Sequence, residues 1–96
     1  MTKILNLNIG QIVMTQAIAA ELSSLGLDEM AIAEYLHRHA NGDWGDLPEA
    51  DMEMNNTALT AGGRIMSSYK DTPIGKIWIL TEWDRSVTTV MFPSDY

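Results

Sequence analysis

Ile77-Trp78-Ile79-Leu80-Thr81-Glu82-Trp83-Asp84-Arg85-Ser86-Val87-Thr88-Thr89-Val90-Met91-Phe92 reads as two strands with a polar turn, Trp83-Asp84-Arg85-Ser86, between them. Working back from that hairpin, Arg64 to Tyr69 has the same Ile, Ser and aromatic composition. Asp71-Thr72-Pro73-Ile74-Gly75 has the turn chemistry to join it to the next strand. Arg64 to Tyr69, Lys76 to Glu82 and Val87 to Phe92 therefore predict a three-stranded antiparallel meander. The short apolar stretch Ile9 to Met14 is the candidate for a fourth strand.

Between Thr15 and Ala61 the apolar period changes to that of a helix. Thr15 is placed to cap a first helix ending at Leu25, with Ile18, Leu22 and Leu25 on one side and Gly26 beyond. Asp28 caps a second helix through Ala40, whose Ile32, Tyr35, Leu36 and His39 share a side, and Asn41-Gly42 stops it. Asp46 and Glu49 have capping-box spacing before a third helix to Ala61, with Met54, Ala58 and Ala61 expected to face inward. The predicted class is α+β. Two or three N-terminal helices pack on one face of a three-stranded antiparallel β-meander, four-stranded if Ile9 to Met14 joins it.

Ninety-six residues fit one domain with one modest core. There is no cysteine, so neither a disulfide framework nor a thiolate metal site is available. No apolar run is long enough to span a bilayer, and the start Met1-Thr2-Lys3-Ile4 lacks the pattern of a secretory signal, so a cytoplasmic location is expected.

The net charge is −7, and its placement is uneven. From Glu21 to Glu53 nine carboxylates face Arg38 alone, a net −8, whereas the chain from Met54 onward is neutral. Such a middle segment repels phosphate backbones, so no direct nucleic-acid contact is expected. The same argument disposes of a helix-turn-helix reading of the first two helices, because Asp28 and Glu29 stand where a DNA reader needs cations. Acidity also keeps small proteins dispersed, which needs no partner at all.

Two segments hold candidate chemistry. In His37-Arg38-His39 the histidines point to opposite sides of a helix and cannot share a metal. His39 and Asp43 have the right separation, but Asn41-Gly42 ends the helix between them; no metal or cofactor is expected. The bland reading puts His39 at the edge of the core and His37 in solvent. In the hairpin, Arg85 is suited to clamp a phosphate or carboxylate, with Thr88 or Thr89 beside it; a solvated turn is the alternative. Trp44 and Trp83 fall in turns, where they either lid the core or anchor a partner.

Two blocks carry a resemblance. Arg38-His39-Ala40-Asn41-Gly42-Asp43-Trp44-Gly45-Asp46-Leu47 is similar to an "RH-x-x-GDWGD" segment, and the ending from Ile77 to Tyr96 to "WIITEADRSxTTILLPxEY". Both are features of small uncharacterised proteins carried by plasmids, integrative elements and prophages. Trp83 replaces an alanine and Asp95 a glutamate of that pattern, and the first 30 residues are not covered. The resemblance implies a mobile-element accessory protein, and two functional readings follow. The first is a protein-binding module that inhibits a host defence nuclease or nucleoprotein. There Asp28, Glu29, Glu34, Asp43, Asp46, Glu49, Asp51 and Glu53, with Trp44 and Trp83, would meet a basic partner surface; small homo-oligomers are compatible with it. The second is a metal-independent ribonuclease like barnase, colicin or RelE-type toxins, with His37 or His39 as base, Arg85 on the phosphorane and Thr88 or Thr89 assisting.

Overall fold

In chain order the elements are β1 (Gln11–Met14), α1 (Gln16–Ser24), α2 (Met30–Ala40), α3 (Glu49–Ala61), β2 (Ile65–Tyr69), β3 (Ile77–Thr81), β4 (Val87–Met91) and a 3-10 turn over Pro93–Asp95. The structure, a computed structural model, describes residues 7–96; the stretch Met1 to Ile4 read for targeting lies outside them. The class is α+β with three helices. β2, β3 and β4 form the expected antiparallel meander, with Ile65 opposite Thr81 and Trp78 opposite Met91.

The sheet as a whole is mixed rather than antiparallel. Its order is β1-β4-β3-β2, and β1 runs parallel to β4 with Ile12 beside Thr88 and Met14 beside Val90. Three helices separate the first strand from the meander, and a connection of that length lets the chain return in either direction.

All three helices bury their apolar sides on one face of the sheet. Ile18 and Leu22 of α1 with Ile32 and Tyr35 of α2 join Tyr69, Ile77, Ile79 and Val90 in the main cluster. Ala58 of α3 meets Trp44 and Ile65 in a second. Thr15 caps α1 as expected, its Oγ1 accepting from the Ile18 N–H at 3.3 Å and donating to Asp95 at 2.8 Å. Asp28 accepts the Met30 N–H at 3.0 Å and so serves the start of α2 from one residue outside.

The expected Asp46–Glu49 box does not form: Pro48 precedes α3, and Asp46 turns to the Lys70 N–H at 2.9 Å. Nor do Met54 and Ala61 face inward. Asn55 takes the inner place with Ala58, and its side-chain amide donates to the Met66 carbonyl at 2.7 Å and accepts the Met66 N–H at 3.2 Å. That amide occupies the position a neighbouring strand would fill. The Trp44–Asp46 loop does the same one step along, with Ser68 N–H donating to Trp44 O and Asp46 N–H donating to Ser68 O. The outer edge of β2 is thus covered by side chains and a loop, a standard defence of an edge strand.

Candidate binding surface

His39 is fully buried and holds the centre of a hydrogen-bond chain. Its Nδ1 lies 2.5 Å from Ser67 Oγ, its Nε2 is 2.9 Å from Thr81 Oγ1, Thr81 is 2.6 Å from Thr88, and Thr88 donates to the Ile9 carbonyl at 2.6 Å. A carbonyl only accepts, and that fixes the order. Thr88 spends its proton on Ile9, so Thr81 donates to Thr88 and the Nε2–H of His39 donates to Thr81. Nδ1 is left to accept from Ser67. Every member is satisfied with the imidazole neutral, and burial pushes its pKa down to about 4. His39 therefore lies deeper than the core edge expected for it, with Trp44 edge-on at 5.8 Å, and has no exposed nitrogen to offer a substrate. His37 is exposed, as expected.

Arg85 is equally engaged. Its guanidinium donates to Gly63 O at 2.6 Å, Ala58 O at 2.9 Å and Glu82 O at 3.1 Å, tying the end of α3 to the β3–β4 hairpin. Ala58 O also accepts the Gly62 N–H that caps α3, so Arg85 adds a second donor there, at the negative end of the helix dipole where a cation is stabilised. Arg85→Met keeps the stem and removes the donors. It is expected to cost about 2 kcal/mol, the range for hydrogen bonds to a charged group, read as a lower urea midpoint at unchanged m value.

Of the proposed ribonuclease set, the structure joins His39 and Thr88 through Thr81, but inside the core. Thr89 alternates to the other face of the sheet, and Arg85 faces backbone carbonyls.

The acidic set divides in two. Asp43 pairs with Arg38 at 2.7 Å, which holds its carboxyl below the usual carboxylate range, and also accepts the Gly45 N–H. Asp46 supports the β2 edge, and Trp44 is buried with its Nε1–H donating to Asn56 at 3.1 Å. These three candidates hold the fold together. Asp28, Glu29, Glu34, Glu49, Asp51 and Glu53 are exposed, and among the described residues no cation lies in salt-bridge range of any of them.

Asp51 and Glu53 line a groove of about 750 Å³ between α3 and β2. Leu47, Ala50, Met54, Ala58 and Met66 give it apolar walls, and Arg64 also lines it. Met54 is 69% exposed and Trp83, on the hairpin that Arg85 fastens to α3, is 68% exposed. A large exposed side chain lining a concavity, as Met54 does, is the usual material of an interface anchor, and Trp83 lies outside that lining. The helical spacing alone hides this groove, because it places Met54 in the core; its signal is a methionine one position off the buried side of α3.

No family model, curated protein or solved structure matches the chain. Among the described residues, no helix is long and apolar enough to cross a membrane and no group of three or more His, Cys, Asp or Glu side chains could hold a metal ion.

Proposed function

We propose that this chain is a protein-binding module, working in the cytoplasm, that covers a cation-rich surface of a host defence nuclease or nucleoprotein. The observation that carries this reading is the meeting of carboxylates and an apolar groove: Asp51 and Glu53, with no cation in salt-bridge range among the described residues, line it together with the exposed Met54. A complementary partner places Lys or Arg against the carboxylates and an apolar side chain in the groove. The charges speed encounter and select the partner, and the apolar contact slows dissociation. Nucleic-acid channels of nucleases are basic by necessity, which makes them natural targets for such a surface. The resemblance to mobile-element proteins points the same way, since such elements meet host defences.

The test is inhibition and binding by the purified protein against a panel of CRISPR and restriction nucleases. At least one enzyme is expected to lose cleavage. Its affinity for the Asp51→Asn/Glu53→Gln double variant should fall about 10-fold at low salt, with less difference at 0.5 M, where screening is nearly complete. Inhibition of no enzyme, or binding indifferent to both substitutions and to salt, overturns the reading.

A further inference from the structure

The two edges of the sheet are treated differently. Along β2 the outward backbone groups of Met66, Ser68 and Lys70 are met by Asn55, Trp44 and Asp46. β1 has no such cover among the described residues. Gln11 and Thr15 turn their N–H groups to Ser86 O and Val90 O of the β4 segment, so the alternating Ile12 and Met14 direct theirs outward. Ile12 is 47% and Val13 36% exposed, and the strand Gln11-Ile12-Val13-Met14 contains no charge, proline or glycine. An uncharged edge whose outward donors and acceptors meet no partner among the described residues is a template for another strand.

We propose that β1 pairs with β1 of a second copy of this chain, antiparallel across a two-fold axis at Ile12. The occupant follows from register and charge. With Ile12 opposite Ile12 of the second copy, the outward N–H and C=O of each meet their counterparts; beyond that pair Gly10 leaves the extended conformation at φ +61° and gives its N–H to Asn8 Oδ1 at 3.0 Å, so the pairing centres on Ile12. The charge pattern steers self-association to this side. None of the four strands carries a charged residue, whereas α2 and α3 carry exposed carboxylates with no cation in salt-bridge range among the described residues, which repel an identical copy. Beside β1, α1 exposes Ala17, Ala19 and Ala20 with a single carboxylate, Glu21, so neighbouring helices meet little bulk or charge. Pairing would join two four-stranded sheets into one of eight and leave the α3 groove of each copy open.

A four-residue edge buries less than the roughly 800 Å² per partner of a standard interface, so the pairing is weak and is read at protein concentrations around 0.1–1 mM. Sedimentation equilibrium is expected to show mass rising toward two chains across that range. Amide exchange is expected to slow about 10-fold or more at Ile12 and Met14 as concentration rises, while Gln11 and Val13, bonded within the sheet, stay protected throughout. Ile12→Pro removes the outward donor and leaves the β4 ladder intact; Ile12→Lys blocks the edge by charge without touching the backbone. Either variant, if folded by circular dichroism, should remain a monomer. A constant monomer mass at 1 mM overturns the proposal. So does an Ile12 amide already protected in the dilute monomer, which would mean the chain covers its own edge. Dimers that persist in Ile12→Lys would place the contact elsewhere and overturn it as well.

Discussion

His39→Leu is expected to lower the stability of the folded chain by about 3 kcal/mol, which for a domain of this size moves the melting temperature by roughly 15 °C. Leucine fills a similar volume, so the loss is one of hydrogen bonding rather than of packing. The ring links Ser67 to Thr81, and each hydroxyl is buried. Without it, Thr81 still donates to Thr88, but the Ser67 hydroxyl loses its imidazole acceptor. An unsatisfied buried donor costs more than the bond it replaces was worth, while removing both partners is close to neutral. Adding Ser67→Ala to His39→Leu should therefore recover about 1 kcal/mol, although Ser67→Ala alone is destabilising. A further loss in the double variant would show that the proton order derived above is wrong.

The same histidine sets the acid limit. Its pKa is 6.5 in a free chain and about 4 when folded, because burial disfavours the imidazolium. Between those values the unfolded chain binds more protons, so stability rises with pH there and is lost as pH falls. The contribution is full above pH 6.5, disappears by about pH 4, and amounts to about 3 kcal/mol. Asp43, held low by Arg38, acts in a separate window: its contribution is present above the free value of 3.8 and lost only below it. Urea titrations at pH 7, 5.5 and 4.5 should give a falling midpoint in the natural chain and a nearly flat one in His39→Leu. Parallel slopes in the two would assign the acid sensitivity to other groups.

Much of the architecture was legible because its signals are local. Thr15, Gly26, Asn41-Gly42 and the two hairpin turns punctuate the chain where the elements begin and end, and the change of apolar period between Ala61 and Ile65 separates helices from meander. What escaped was decided by partners distant in sequence. Nothing around Gln11–Met14 announces that it pairs parallel to β4, some 75 residues away. Asn55 displaces Met54 from the inner side of α3 because the free edge of β2 needs an amide, a requirement visible only once the two elements meet. The polar residues proposed for chemistry divide on the same ground. Arg85 sits beside a turn, yet the end of α3 supplies it with the carbonyls of Ala58 and Gly63, and its own hairpin with that of Glu82. His39, Asp43, Trp44 and Asp46, all within the segment from Arg38 to Leu47, serve the joint between α2, the loop and β2. A motif dense in His, Asp and Trp is what a catalytic site looks like on paper, and also what a buried polar joint looks like.

That joint turns on Gly45, and Gly45→Ala is expected to cost roughly 3–4 kcal/mol, well beyond the usual penalty of about 1 kcal/mol for alanine in a left-handed conformation. Gly45 has φ +76°, and a methyl group there would run into the Ser68 carbonyl oxygen and the Tyr69 ring. Neither obstacle can yield cheaply: Ser68 is held in the sheet, and Tyr69 is buried with its hydroxyl donating to Asp43 O at 2.6 Å. The loop must lift instead. Lifting it breaks the Ser68 N–H to Trp44 O bond of 3.1 Å, the Asp46 N–H to Ser68 O bond of 2.6 Å and the support of Lys70 by Asp46, so the loss is several bonds deep. Gly26→Ala is the matched control, because Gly26 has φ +68° with nothing within 4 Å of the added methyl, and it bears the conformational cost alone. Lifting the loop also bares the outer edge of β2, so Gly45→Ala should aggregate on partial heating where Gly26→Ala does not, as light scattering would report. Equal urea midpoints for the two variants would mean that the loop is not clamped to β2, and with it the case for a structural role of the Asp43–Asp46 segment would fall.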